Sequence, residues 1–363
     1  MHHLFVDISS HGFGHLAQAA PILNELCKLL PGLRLSVRSG LPLDKLRSRL
    51  HGNFTHLLER SDFGFIMVDA TRIDFSATAA AYQTQHRNWQ QRVDAEAAFL
   101  SGLQPGLVLT DVAYLPLAGA AQAGIPSLSM CSLNWADLLA YFFSHETWAT
   151  PVHREMLAAY NSATCFLRLI PGMPMSDLSD VRDMPPVAAL GQDCRAALRT
   201  RLGCSTGERL VLVAFGGIHK QLPVENWPSS QNVRWLIPQS WDVVRDDMAA
   251  IEPLSLHFTD LLCSVDAVLT KPGYGTFTEA ACNGTAVLYQ RRDDWPEQEC
   301  LIDWLKLNAR CHEVTENELL RGDLDQALND LWKQARPPVP RPNGAAEAAE
   351  FILARLTAEN RSA

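Results

Sequence analysis

Short apolar runs bounded by glycine or proline alternate along this chain with longer segments whose apolar positions recur every three or four residues. In the first half the runs are residues 4–8, 33–38, 65–68, 107–110, 127–131 and 164–169. Most are rich in Leu, Val, Ile and Phe, which predicts strands covered on both faces, as in a parallel sheet. Between them Leu16, Ala20, Leu23, Cys27 and Leu30 share one helical face, and residues 79–100 and 115–123 read as further helices. The run Pro171, Gly172, Met173, Pro174 and an irregular stretch with Pro185 and Pro186 then break the pattern, which restarts with a helix over 195–202 and a strand over 210–215. More βα units follow to about residue 333, then a stiff proline-rich connector over 337–342 and a last helix over 345–356.

This alternation predicts an α/β protein of two Rossmann-like, doubly wound parallel-sheet domains facing a cleft. The boundaries it suggests are 1–185 for an N-terminal domain, 186–340 for a second, and 341–363 for a C-terminal crossover helix and tail. That helix has an apolar face of Ala349, Ile352, Leu353 and Leu356, and the connector lets it cross back to bury this face on the first domain. In such sheets ligands bind past the carboxyl ends of the strands, so the chemistry is expected in the loops there.

Composition narrows the class. With 47% hydrophobic and 20% charged residues the chain has the make-up of a folded soluble protein. Its net charge of −9 repels nucleic acid, and no apolar run approaches the roughly 18 residues of a membrane span. The nine cysteines form no CxxC pair, so neither a disulfide framework nor a zinc site is expected. With the first strand starting almost at Met1 there is no room for a secretory signal, and a cytoplasmic location is expected. The glycosylation sequons at Asn53 and Asn283 would then go unused.

The first candidate chemistry lies in "SSHGFGHLAQAAPIL", a strand–turn–helix junction holding His11, Gly12, Gly14 and His15. Gly12 to Ala17 fits G-x-G-x-x-A, the dinucleotide fingerprint, but the second strand ends in Arg38 with no ribose-binding carboxylate. A dinucleotide phosphate site using Arg38, a turn whose histidines only cap the helix, and a catalytic base are the three readings of this turn. The third draws support from Asp111, which ends its own strand and would meet the same face. A carboxylate there fixes the tautomer of an imidazole and stabilises its charged form. The alternative for Asp111 is a cap on the helix at Leu115.

The second candidate is "AVLTKPGYGTFTEAACNGTAVLYQRRDDWPEQ", residues 267–298. A strand ends at Thr270, and Lys271 and the turn Gly273, Tyr274, Gly275, Thr276 lead into a helix bearing Glu279. Glycine amides, a helix N-terminus and an ammonium group suit a diphosphate, and Glu279 is placed to accept two ribose hydroxyls. After a second strand, a polar loop with Glu297 and Gln298 offers groups for a sugar. The acid pairs Asp246–Asp247 and Asp293–Asp294 read as solvated surface, so no metal and no cofactor are expected. Tyr82, Trp89, Asn134 and Trp135 are candidates to line an acceptor site, although aromatic residues on helices are more often core.

These residues resemble the two-domain, GT-B type nucleotide-sugar glycosyltransferases. The donor motif of that family matches at Lys271, Gly273 to Thr276, Glu279 and Glu297–Gln298, with Lys271 where plant-type members carry His. Its Gly-His turn, in which His acts as base, matches at His15, Asp111 stands where many members carry the partner Asp, and Gly216–Gly217 after Phe215 resemble a Phe-Gly-Ser turn. Within this group the chain is most similar to the glycosyltransferase-like N-terminal region of plant arabinose kinases, sharing "HGFGH", the "GYGT" turn and "RRD". Nothing here matches the kinase half of those proteins. The segment 248–254, where transferases place a base-reading loop, lacks their Trp-x-Pro-Gln pattern, and uracil is favoured only by family frequency. The resemblance implies an inverting, metal-independent transfer from a nucleotide diphosphate sugar, such as a UDP-sugar, to an acceptor of unknown identity. A nucleotide-sugar 2-epimerase and a non-catalytic nucleotide-sugar sensor remain the alternatives.

Overall fold

A computed structural model describes residues 2–69, 71–216, 221–292 and 294–358. The chain divides into two compact units, the first made of Met1–Val68, Ile73–Val187 and Pro342–Ala363, the second of Asp69–Arg72 and Ala188–Arg341.

The first unit is built on a seven-stranded sheet. Its strands are β1 (His3–Ile8), β2 (Arg34–Arg38), β3 (Thr55–Leu57), β4 (Leu107–Asp111), β5 (Ser127–Cys131), β6 (Cys165–Leu169) and β7 (Val181–Met184). They lie in the order β3-β2-β1-β4-β5-β6-β7, and every neighbouring pair is parallel. Leu4, Phe5 and Val6 in β1 and Val108 and Leu109 in β4 have no exposed surface. Helices cover both faces of such a sheet, which is why its central strands read as largely apolar runs.

Two expectations need correction here. Residues 65–68 form no strand; Met67 makes only an isolated antiparallel bridge to Ile73. Phe65 is apolar because it packs among Tyr82, Trp135, Phe142 and Phe143. The true edge strands, β3 and β7, are short and partly polar, since an edge buries less than the centre. The helix expected over 79–100 is two helices, Phe75–His86 and Trp89–Leu103. The chain turns where His86 is held between Glu155 Oε2 at 2.6 Å and the Tyr114 hydroxyl at 2.8 Å.

The last helix, Gly344–Ala358, belongs to the first unit, where it packs on helix Phe13–Leu29 and on β7. It buries Ala345, Ala348, Ala349, Ile352 and Leu356. Its first residue must be glycine: a Cβ there would stand 1.9 Å from the Pro185 carbonyl oxygen.

The second unit holds a six-stranded sheet of β8 (Arg209–Val213), β9 (Val233–Ile237), β10 (Met248–Ala250), β11 (Ala267–Thr270), β12 (Ala286–Tyr289) and β13 (Cys311–Glu313). The order is β10-β9-β8-β11-β12-β13, again all parallel. Part of the segment 248–254 is therefore the edge strand β10 and not a loop. In both sheets the chain starts in the middle, runs to one edge, and returns to continue beside the first strand. The order thus reverses between β1 and β4 and between β8 and β11. At such a switch point the loops after the two central strands diverge to opposite faces and leave a ligand crevice at the carboxyl edge. No described helix is long and apolar enough to cross a membrane.

Candidate active site

In the first unit the switch point brings His15 and Asp111 together. Parallel pairing sets Ile8 level with Asp111, so the turn leaving β1 starts beside the end of β4. His15 lies in the first turn of helix Phe13–Leu29, and its Nδ1 is 2.9 Å from Asp111 Oδ1 across 96 positions of sequence. Both side chains are buried, Asp111 completely. A carboxylate on Nδ1 selects the tautomer with the proton there and leaves the Nε2 lone pair to take a proton. Burial pushes the Asp111 carboxyl above its ordinary range, against the pull of His15 and of the Cys131 thiol.

Cys131 ends β5 with Sγ 3.8 Å from His15 Nδ1. Together His15, Asp111 and Cys131 present three metal-ligand atoms within 4.8 Å of one another. The 2.9 Å between Nδ1 and Oδ1 suits a shared proton; two ligands of a tetrahedral zinc, with bonds of about 2.0–2.1 Å, stand roughly 3.3 Å apart.

A second carboxylate, Asp62, has no signal in the sequence pattern. It sits in an irregular segment, and its oxygens accept from Ser9 Oγ at 3.0 Å and from the Trp135 indole Nε1 at 2.8 Å. Trp135 packs its ring against both His11, at 5.2 Å between centroids, and His15, at 5.7 Å. Burial, helped by the nearby Asp7 carboxylate, raises the Asp62 pKa to about 6, while Trp135, His15 and Ser9 oppose the shift. Asp62 follows Glu59, Arg60 and Ser61 in a polar stretch, which in sequence reads as an ordinary loop.

Gly12 is the N-cap of helix Phe13–Leu29 and has extended backbone, and a Cβ at Gly12 or Gly14 would meet nothing within 4 Å. The fold itself leaves that helix start open. His11 packs beside it, its main-chain N–H on Ser9 Oγ at 3.3 Å. The dinucleotide use of Arg38 does not fit. Arg38 is buried, donating to Asp7 at 2.5 Å and to both oxygens of Glu96 at 3.0 and 2.6 Å, so its head is held in the core. Of the acceptor candidates, Tyr82 is core and Asn134 caps helix Trp135–Phe143 by accepting from Asp137 N–H. Trp89 stacks on His86 at 4.9 Å.

In the second unit Gly216 follows β8 at φ +87°, a left-handed conformation that favours glycine. Gly217 lies outside the described residues. Across the switch point, Lys271 and Gly273 follow β11. Gly273 caps helix Tyr274–Cys282, and the Lys271 Nζ lies 3.7 Å from where a Cβ of Gly273 would be. The ammonium group therefore stands over the start of that helix. Gly275 and Tyr274 are buried in its first turn, Thr276 is half-buried, and Glu279 is buried one turn on. Burial and the Glu279 charge together push the neighbouring Cys282 thiol up to about 12.

Glu297 and Gln298 are not a loop: they begin helix Glu297–Asn308 and are both buried. Glu297 Oε2 accepts from the Trp295 indole at 3.0 Å. The Gln298 amide accepts from the Arg292 main-chain N–H at 3.0 Å and donates to its carbonyl at 3.2 Å, tying the segment closed. The Arg292 side chain is buried with its guanidinium 3.9 Å from the Trp295 ring centroid. Burial lowers its pKa to about 10, while Glu297 and Asp69 act the other way. Of the acid pairs set aside in the sequence, Asp247 is bound by Arg245 at 2.8 Å, and Asp293 lies outside the described residues.

Comparison with known proteins agrees with this architecture. The fold is that of the GT-B glycosyltransferases. The glycosyltransferase of kitacinnamycin superposes with a TM-score of 0.62 at 14% identity over 98% of this chain and 95% of its own. Arabidopsis thaliana UGT89C1 complexed with UDP gives 0.59 at 17% identity over 98% and 100%. Phytolacca americana UGT2, complexed with UDP-2-fluoro-glucose and pterostilbene, gives 0.57 at 13% identity over 98% and 94%. In sequence the chain is similar to L-arabinokinase of Arabidopsis thaliana, 25% identical over 334 residues, which is 87% of this chain and 30% of that protein. The chain thus spans under a third of the length of that relative. No protein-family model matches it.

Proposed function

We propose that the chain is an inverting, metal-independent glycosyltransferase that moves a sugar from a nucleoside diphosphate sugar, UDP-linked, to an acceptor hydroxyl. The observation that carries the reading is the buried His15–Asp111 pair at the carboxyl edge of the first sheet, 2.9 Å apart. His15 Nε2 takes the acceptor proton as its oxygen forms a bond to the anomeric carbon. The bond from that carbon to the diphosphate breaks from the opposite face, so configuration inverts. Asp111 orients the imidazole and stabilises its protonated form.

The second unit supplies the donor site in this reading. The diphosphate lies on Gly273 to Thr276 at the start of helix Tyr274–Cys282, where the helix dipole and Lys271 take up the charge of the leaving group. Glu279 accepts the ribose hydroxyls. Arg292, Trp295 and Glu297 form the wall nearest the sugar, with Gln298 holding them in place. Uracil is the base of choice because two of the compared structures hold UDP or a UDP-sugar.

The test is a thermal-shift panel of nucleoside diphosphates followed by product analysis with nuclear magnetic resonance. A ligand at a hundredfold its Kd adds roughly 2.7 kcal/mol. Donor hydrolysis should release the diphosphate and a sugar of inverted anomeric configuration, and His15→Ala should stop it. Retained configuration sinks the mechanism. Nucleotide binding with no turnover on any donor makes the chain a sensor instead.

A further inference from the structure

At the amino edge of the second sheet lies an open hollow of about 810 Å3, lined by residues of helix Arg195–Arg201, the turn before β8, the start of β11 and the chain after helix Asp325–Lys333. It is far from the donor segment: the five residues of β8 at about 3.3 Å each separate the two edges by roughly 16 Å.

Four arginines (Arg195, Arg199, Arg209 and Arg336) and three carboxylates (Asp193, Glu208 and Asp266) line it. Arg195 and Arg209 share one oxygen, Asp266 Oδ1, at 2.9 and 3.2 Å. The other Asp266 oxygen is taken by the Leu210 main-chain N–H at 2.9 Å. Arg199 has no carboxylate partner among the described residues; it donates to the carbonyls of Glu208 and Ser205, each at 2.7 Å. The Glu208 carboxylate is itself committed to Arg234 at 2.8 Å and to Ser205 N–H at 2.8 Å. Arg336 lines the hollow, is exposed, and has no ion pair among the described residues. Beside it Arg310 lies over the Trp332 ring at 5.7 Å, with Arg209 over the same ring at 5.3 Å. Burial, Arg336 and Arg209 together push the Arg310 pKa below its ordinary value, against the pull of Asp266.

We propose that this hollow binds a small, multiply charged oxyanion of the di- or triphosphate class, at a site separate from the donor turn. Guanidinium groups bind phosphate oxygens through paired, charge-assisted hydrogen bonds. Arg336 supplies the uncommitted donors, and Arg195 and Arg209, already fixed by Asp266, present a preorganised wall. A concave hollow of this volume matches a small molecule better than a flat macromolecular surface.

The experiment is isothermal titration of the full chain with inorganic tripolyphosphate, in wild type, Arg336→Ala, Arg336→Lys and Lys271→Ala. Arg336 is exposed and makes no ion pair, so its variants should melt with the wild type. Binding is expected in wild type, weakening with added salt. Arg336→Ala should lose about tenfold or more in affinity, Arg336→Lys should recover part of it, and Lys271→Ala should retain this site in full. Absence of binding in wild type overturns the proposal. So does binding that is untouched by Arg336→Ala and lost in Lys271→Ala, which would assign the anion to the donor turn. Both results are independent of whether the chain turns over a nucleotide sugar.

Discussion

Asp62→Asn isolates the cost of a buried charge beside the candidate base. The Asp62 carboxyl titrates at about 6 in the folded chain against an ordinary 3.8. A raised carboxyl pKa means that the folded state binds the proton more tightly than the unfolded state does. The contribution of this group to stability is thus greatest below pH 4, falls as pH rises, and is fully lost above about pH 6. A difference of about 2 units corresponds to roughly 3 kcal/mol. Asparagine keeps the shape, still accepts the Trp135 indole N–H, can donate to a rotated Ser9 hydroxyl, and has no charge to bury. The first unit has roughly 200 residues, for which about 1 kcal/mol moves Tm by roughly 2–4 °C. The Tm difference between Asp62→Asn and wild type should therefore grow in favour of the variant by about 6–12 °C from pH 4 to pH 7.5. Differential scanning calorimetry across that range reads it directly, and taking the difference cancels titrations common to both proteins. A difference that stays flat with pH refutes the argument, because it would mean that Asp62 is either solvated or already neutralised by a partner.

Three further outcomes are expected. His15→Ala should lower turnover by on the order of a hundredfold or more while leaving nucleotide affinity nearly unchanged, read by steady-state kinetics beside calorimetric titration; lost nucleotide binding would instead make its turn a phosphate site. Glu279→Ala should weaken UDP by roughly tenfold or more, since hydrogen bonds to a charged group are worth about 1.5–3 kcal/mol, and equal affinity in the two proteins removes Glu279 from the ribose. Arg38→Met leaves the buried carboxylates of Asp7 and Glu96 without their cation, and urea unfolding should show a loss of about 3–5 kcal/mol; a change below 1 kcal/mol would mean water reaches that pair.

What the sequence determined by itself was local and periodic. The runs that became β1, β4, β5 and β11 are mostly apolar because central strands of a parallel sheet are buried on both faces, so their placement needed no tertiary information. The turns carrying His15 and Lys271 were legible for the same reason, each being a short polar break between a buried strand and an amphipathic helix. The pairing of His15 with Asp111 was legible as an expectation only through the rule that ligands gather at the carboxyl edge. Tertiary structure decided the rest. Strand order puts β1 beside β4 and so closes 96 residues of sequence to 2.9 Å. It also carries Asp62, from an irregular segment without periodicity, under the Trp135 indole, and it holds Arg38 inside between Asp7 and Glu96. Glu297 and Gln298 looked like loop residues because polar side chains at a helix start carry no apolar stripe, yet their hydrogen bonds run to Trp295 and Arg292. Arg336, Arg310 and Asp266 come from separate segments and meet only because parallel strands begin at one edge. Periodicity reports which side of an element is buried, whereas the partner it is buried against depends on how strands are ordered, and that is set by packing across the whole sheet.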